Sequence, residues 1–338
     1  MSATSFSSYD EPLGPRAGRY FGDGYQKVEQ ELSGLQLQRS NQPGARHSGT
    51  GRLRYPADWS RKRGGELVPH VSSVDTLTLA AAMCDAALTH TRDLGPDEAA
   101  HSWVRHATVR AGAAPHEDLD NIPVEIEVTS VSEDEDATGG RSDRTDSETT
   151  FKFRVGALTG TLTFAHVQGS GPVDLPGVDH ADSLAAIFGP QPHHFLHGLK
   201  RHSLSATDLV IDEAATRITG RQQITLDGDR RYSGAESAHP DSSSIVDIVV
   251  GAAQLSQILL YRLDDLDRAR SNTLWMRKLE ISASGPDRPT AAPFDGTAEV
   301  RRVSIVNRGG QRWRSADMLI KEFNGMVGSC LLAHQLPD

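Results

Sequence analysis

The chain has 338 residues, a formal net charge of −10 and an apolar fraction of 37%. That length suits two domains or one double domain with a full core. An acidic surplus of this size argues against a general nucleic-acid or anionic-membrane binder. The opening residues, MSATSFSSYDEP, lack a basic start followed by an apolar run, so neither a secretory signal nor a membrane segment is expected, and the expected setting is cytoplasmic. Cys84 and Cys330 are read as reduced core residues rather than a disulfide or metal pair.

In chain order, residues 1–18 are polar and expected to be loose. The ordered part opens at Arg19-Tyr-Phe-Gly-Asp-Gly-Tyr25 and forms a first repeat over 19–167. Weak alternation over Lys27 to Gln38 predicts a strand, Arg39 to Gly51 a loop, and Arg52 to Tyr55 a short strand. Leu67-Val-Pro-His70 leads into a helix predicted near 72–90, with Ser72 or Ser73 as its N-cap. His101 to Val109 reads as a strand, and Pro123 to Val131 alternates as a strand does. Residues 132–150 carry no apolar side chain larger than alanine and many charges, which predicts a mobile insert. Phe151 to Val167 reads as one long strand, and 168–186, rich in Gly, Pro and Asp, as a connector. The second repeat, 187–338, restarts with Ile187-Phe-Gly189 echoing Tyr20-Phe-Gly22. Its helix, predicted near 244–262, is apolar nearly all round, which places it inside a protein; it reads as too short and too interrupted to span a bilayer.

The two helices are copies. Shifted by 172 residues, Val71 to Gly112 falls on Ser243 to Ser284 without a gap. Val74-Asp75 meets Val246-Asp247, and Trp103-Val-Arg105 meets Trp275-Met-Arg277. Near the ends of the repeats Gly160 meets Gly328 and Ala165-His166 meets Ala333-His334, at an offset of 168. Each copy is short strands, one buried helix, then long strands. That pattern predicts an α+β fold in which an antiparallel sheet wraps a central helix, a hotdog, here in tandem as a double hotdog.

The helix starts carry the first chemical candidates, His70 with Asp75 and His239 with Asp247. A helix N-terminus offers unpaired N–H groups and a positive dipole end that can polarise a thioester carbonyl. An imidazole and a carboxylate beside it can act as base and acid; the plain alternative is that the acids only complement the helix dipole. Arg105 and Arg277, each two residues after a tryptophan (Trp103, Trp275), suit a phosphate, pantetheine or carboxylate, or else stack on the tryptophan or pair with an acid. Gln254 is a polar side chain inside the second helix. His166 and His334 read as structural. His193 and His197 sit at i,i+4 without HExxH or a third ligand, so no metal is expected. No GxSxG elbow, GxGxxG or Walker pattern appears, and no nucleotide cofactor is inferred.

At Arg19-Tyr-Phe-Gly-Asp-Gly-Tyr25, His70-Val-Ser-Ser-Val-Asp75, the two Trp-x-Arg strands and the closing Ala333-His-Gln-Leu-Pro337, the chain resembles the bacterial avirulence D (AvrD) family, which directs formation of syringolide-type elicitors. The resemblance implies an enzyme that joins a β-ketoacyl thioester, carried on coenzyme A or a carrier protein, to a ketosugar such as xylulose and closes a butenolide-type lactone. The second half is also similar to the HPxxxD…Q element of polyketide dehydratases and butyrolactone-forming hotdogs. Here His239 stands eight residues before Asp247 and Gln254 seven after it, which departs from the dehydratase spacing. That analogy would set His70 opposite Asp247. Dehydratase or thioesterase action, or a non-catalytic double hotdog holding a lipid-like signal, are the competing expectations; no helix-turn-helix is evident.

Overall fold

The computed structural model describes residues 3–60, 67–133, 147–169, 174–212, 214–266 and 274–336. In chain order they form β1 (Thr4–Phe6), α1 (Asp10–Leu13), β2 (Glu29–Ser40), β3 (Arg46–Arg54), α2 (Ser73–Arg92), α3 (Pro96–His101), β4 (Trp103–Arg110), β5 (Ile122–Glu133), β6 (Ser147–Val155), β7 (Leu158–His166) and β8 (Asp174–Ser183). There follow α4 (Ala185–Phe188), α5 (His194–His197), β9 (His202–Ile211), β10 (Arg217–Leu226), α6 (Ile245–Leu263), β11 (Trp275–Ala283), β12 (Phe294–Arg308), β13 (Gln311–Phe323) and β14 (Met326–Gln335).

All the strands join one antiparallel sheet in the order β1-β9-β10-β12-β13-β14-β11-β4-β7-β6-β5-β3-β2-β8. The order is symmetric about its centre, where β4 meets β11 with Val109 opposite Leu279 and Ala107 opposite Ile281. Each half wraps one long helix, α2 in the first and α6 in the second, which is a double hotdog. Alternation explains the wrap: Phe151, Phe153 and Val155 of β6 point inward and are almost wholly buried, while Lys152 and Arg154 between them are exposed.

Both long helices start with a capping box. Ser72 Oγ accepts from the Asp75 N–H at 3.1 Å and Asp75 accepts from the Ser72 N–H; Ser244 and Asp247 repeat the arrangement. α2 is buried on every side from Val74 to Thr89, as its composition demands. By length and hydropathy α6 does qualify as a membrane span, contrary to expectation, with a mean hydropathy of 1.3 over its best window. Its place is decided by packing, since 83% of that window is buried inside the protein.

Five sequence expectations are corrected. Residues 1–18 include β1 and α1, and the connector at 168–186 includes β8. These two strands are exchanged: β1 of the first half closes the edge of the second on β9, and β8 closes the edge of the first on β2. Polar composition misled because edge strands expose most of their side chains. Most of the loop expected at Arg39 to Gly51 is strand, since Arg46–Arg54 pairs with β2 and β5. Phe151 to Val167 is two strands, turned at Gly156 with φ +55°. The echo of Ile187-Phe-Gly189 is Leu13-Gly14, where each glycine caps a short helix at φ near +80°, rather than Tyr20-Phe-Gly22. Of the acidic insert at 132–150, residues 134–146 lie outside the described residues.

Candidate active site

α2 begins beside a cavity of about 790 Å³ that draws its walls from both halves. The first half contributes Arg19, Tyr20, Phe21, Tyr55, Trp59, His70, Ser72, Ser73 and the turn after β4 around Gly112. The second contributes Gln257 of α6, Trp275 and Arg277 of β11, Val306 and Arg308 of β12, and Trp313 and Ser315 of β13. A volume of this size with aromatic walls and a few polar groups suits a small organic ligand.

The helix start is held by a chain of hydroxyls. Asp75, with no solvent exposure, accepts from Ser72 Oγ at 2.6 Å, from the Tyr55 hydroxyl and from Gln30 Nε2 at 2.9 Å. Because Ser72 gives its proton to Asp75, the Tyr20 hydroxyl is the donor in its 2.5 Å contact with Ser72 Oγ. Burial first, and the charge of Asp75 second, push both tyrosines well above the ordinary phenol range, so they stay neutral donors. Tyr20, Tyr55 and Ser72 were not singled out as site residues from the sequence. Their signal was weak: two tyrosines far apart in the chain, meeting only because β3 and the segment before β2 converge on the start of α2.

His70 lines the cavity just before the helix. Its Nδ1 lies 3.0 Å from the carbonyl of Val68, which can only accept, so Nδ1 carries the proton and Nε2 is the basic nitrogen. The ring stacks on Trp275 of the other half, with centroids 5.8 Å apart and planes 26° from parallel. Arg277 faces the same cavity and donates to the Gly112 carbonyl at 3.2 Å.

The matched Trp-x-Arg strands share one local geometry and have different surroundings. The pairing of β4 with β7 slips between Val104 and His106, and that of β11 with β14 slips between Met276 and Lys278. Arg105 and Arg277 are therefore the extra residues of equivalent bulges, a device that re-aims a side chain. Arg277 is aimed into the cavity. Arg105 lies outside it, half exposed, over the Trp103 ring and paired with Glu148.

The remaining candidates lie elsewhere. Asp247 is buried and accepts from His202 Nδ1 at 2.8 Å and from the Ser244 N–H at 2.7 Å. Its imidazole partner is thus His202, where analogy had placed His70. Gln30 and His202 are equivalent at the 172-residue offset, each contacting the aspartate of its own helix start. His239 packs edge-on against His101 and, chiefly through burial, titrates below the usual imidazole range. Gln254 accepts from Arg19 at 2.8 Å, one turn from Gln257, which does line the cavity. Trp103 is buried away from it. His166 and His334 hold strand ends, contacting Thr149 and Asp264. His193 binds Asp85 of α2 at 2.9 Å, and among the described residues no three His, Cys, Asp or Glu side chains gather as a metal site.

The model of the family described as Pseudomonas avirulence D protein (AvrD) matches residues 4–337. The chain belongs to the AvrD family. No curated protein sequence matches it. Several solved structures are distantly similar to this AvrD chain. A tesB protein of Mycobacterium avium subspecies paratuberculosis is 15% identical, with 86% of this chain and 93% of that one covered and a TM-score of 0.37. An acyl-CoA thioesterase II of Mycobacterium marinum is 11% identical over 87% and 92%, with a TM-score of 0.36. A bifunctional dehydratase-cyclase domain of ambruticin biosynthesis is 13% identical over 87% and 92%, with a TM-score of 0.35.

Proposed function

We propose that the protein is an acyl-thioester enzyme that joins a β-ketoacyl thioester to a ketosugar such as xylulose and closes the product to a butenolide-type lactone. The observation that carries this reading is the cavity at the start of α2, where the His70 imidazole, its Nε2 without a hydrogen-bond partner among the described residues, meets a helix N-terminus, aromatic walls and Arg277. His70 Nε2 takes the proton of a sugar hydroxyl as the oxygen attacks the thioester carbonyl. The C–O bond forms, the C–S bond breaks, and the imidazolium returns the proton to the departing thiolate. The α-carbon of the bound ester lies between two carbonyls, so the same nitrogen removes its proton. The carbanion then attacks the sugar ketone, the new alkoxide is protonated, and loss of water leaves the unsaturated lactone. The N-terminus of α2 stabilises negative charge on the acyl oxygen in both steps. Arg277 and Gln257 orient the sugar, and Trp275 fixes the plane of the imidazole.

Incubation with β-ketoacyl thioesters and xylulose, free and phosphorylated, followed by mass spectrometry, tests the reading. The expected product has the mass of the thioester plus the sugar, less the thiol and one water. Free β-keto acid as the sole product marks a thioesterase. Retention of the thioester without turnover marks a binding protein.

A further inference from the structure

β12 and β13 run on past the body of the sheet as a hairpin exposed on both strands from Arg301 to Arg312. It closes in a two-residue turn with Gly309 at φ +60° and Gly310 at φ +79°, so it is a defined ribbon. No acidic residue occurs from Val300 to Ala316, although the whole chain carries −10. Arg314 is engaged by Asp264 at the end of α6. Arg301, Arg302, Arg308 and Arg312 have no ion pair among the described residues, and Val303, Ile305 and Val306 stand exposed between them. On the inner side of this ribbon Val306, Arg308 and Trp313 line the cavity.

We propose that this hairpin docks an acidic acyl carrier protein, which presents the β-ketoacyl thioester to the cavity on its phosphopantetheine arm; the inference rests on the acyl-thioester reading above. Arginines interleaved with exposed aliphatic side chains are the composition of a protein interface, and their charge steers an acidic partner to the cavity mouth. Two other occupants fit less well. The exposed strand from Arg301 to Arg308 is about 25 Å long at the usual rise per residue, which spreads its charge wider than the phosphates of one coenzyme A. Val303 and Ile305 alternate with Val306 onto opposite faces, so no single apolar face lies flat on a bilayer.

The test compares the full-length protein with the R301E/R302E/R312E variant, whose changed residues do not line the cavity. Binding of an acidic bacterial acyl carrier protein charged with a 3-oxooctanoyl chain is measured by biolayer interferometry at low and high salt. The kcat/KM is measured in parallel with carrier-bound, coenzyme A-bound and N-acetylcysteamine-bound 3-oxooctanoyl thioesters. The expected result is a loss of about tenfold or more in carrier affinity and in kcat/KM for the carrier substrate, a similar loss on adding salt, and no change with the small thioester. Absence of carrier binding by the unaltered protein, or equal binding by the variant, overturns the proposal. So does an equal loss with the coenzyme A thioester, or salt-sensitive binding to phosphatidylglycerol vesicles in place of the carrier. Charge-dependent carrier binding without product formation upholds the docking surface and removes the condensing reaction instead.

Discussion

At the residue scale, duplicated side chains have been put to different uses. His70→Ala removes the one imidazole that lines the cavity among the described residues and is expected to cut product formation by about a hundredfold or more, with the circular dichroism spectrum unchanged. His239→Ala is expected to leave turnover nearly intact, because that ring packs against His101 outside the cavity. Asp247→Asn sets an amide where Ser244 and His202 all donate; its cost of about 1–3 kcal/mol falls on folding rather than on turnover per folded molecule. Two buried histidines also set a pH dependence. Burial lowers His47 and His166 from 6.5 to about 4, in His166 against the opposing pull of its Nδ1 contact with the Val167 carbonyl, which favours the charged ring. The unfolded chain therefore binds protons that the folded chain refuses. Their contribution is complete above pH 6.5 and is lost as pH falls toward 4, by up to about 3 kcal/mol for each ring. Urea titrations between pH 7 and 4.5 check this: His166→Gln is expected to flatten the decline, and an unchanged slope would count against it.

At the element scale, the strand pairs β4–β7 and β11–β14 approach so closely that a glycine is required. A Cβ on Gly160 would lie 1.9 Å from the Thr108 carbonyl oxygen and 2.5 Å from Phe153, and one on Gly328 would lie 2.6 Å from the Glu280 carbonyl oxygen. Thr108 and Glu280 are themselves equivalent at the 172-residue offset. Gly160→Ala is expected to cost at least the roughly 1–3 kcal/mol of an overpacked core, because backbone cannot step aside as a side chain can. Gly309→Ala, with open space around its Cβ, meets only the left-handed backbone penalty, roughly 1 kcal/mol. Melting temperatures of the two variants should fall in that order. The capping boxes show the same economy: Asp75 and Asp247 cap their helices first, and the capped end of α2 lines the cavity of about 790 Å³, which α6 reaches through Gln257.

At the scale of the whole molecule, the two halves are not independent. Besides the exchanged strands, Asp85 in the middle of α2 is buried and accepts from His193 Nε2 and the Ala235 N–H at 2.7 Å, both from the second half. Gly234 has φ +82° and allows this approach, since a Cβ there would lie 2.4 Å from the carboxylate. Separated from the second half, the first would expose an unpaired edge at β2 and leave Asp85 without these donors. Residues 1–172 and 173–338 produced separately are expected to be unfolded or aggregated, and to give a native circular dichroism spectrum when produced together. Two separately folded halves would show that the exchange is decoration.

The double hotdog was legible in the sequence because its causes are local and were written twice: an all-round apolar helix, a capping Ser-x-x-Asp, alternating strands, and a glycine where strands touch. The 172-residue register carried Asp75 onto Asp247 and Arg105 onto Arg277 without any structure. Of the residues around the cavity, Trp275 and Arg277 could be named for the same reason, and His70 from its place just before the helix start. What the sequence could not supply was which side of the symmetry is open. Equivalent bulges aim Arg277 into a cavity and Arg105 toward Glu148, and the imidazole beside Asp247 proved to be His202. Tyr20, Tyr55 and Gln257 reach the cavity from separate elements, and β1 and β8 are exchanged between the outer edges of the two halves. These are consequences of long-range packing: local periodicity determines what each segment becomes, while the space between segments exists only once both halves have closed on each other.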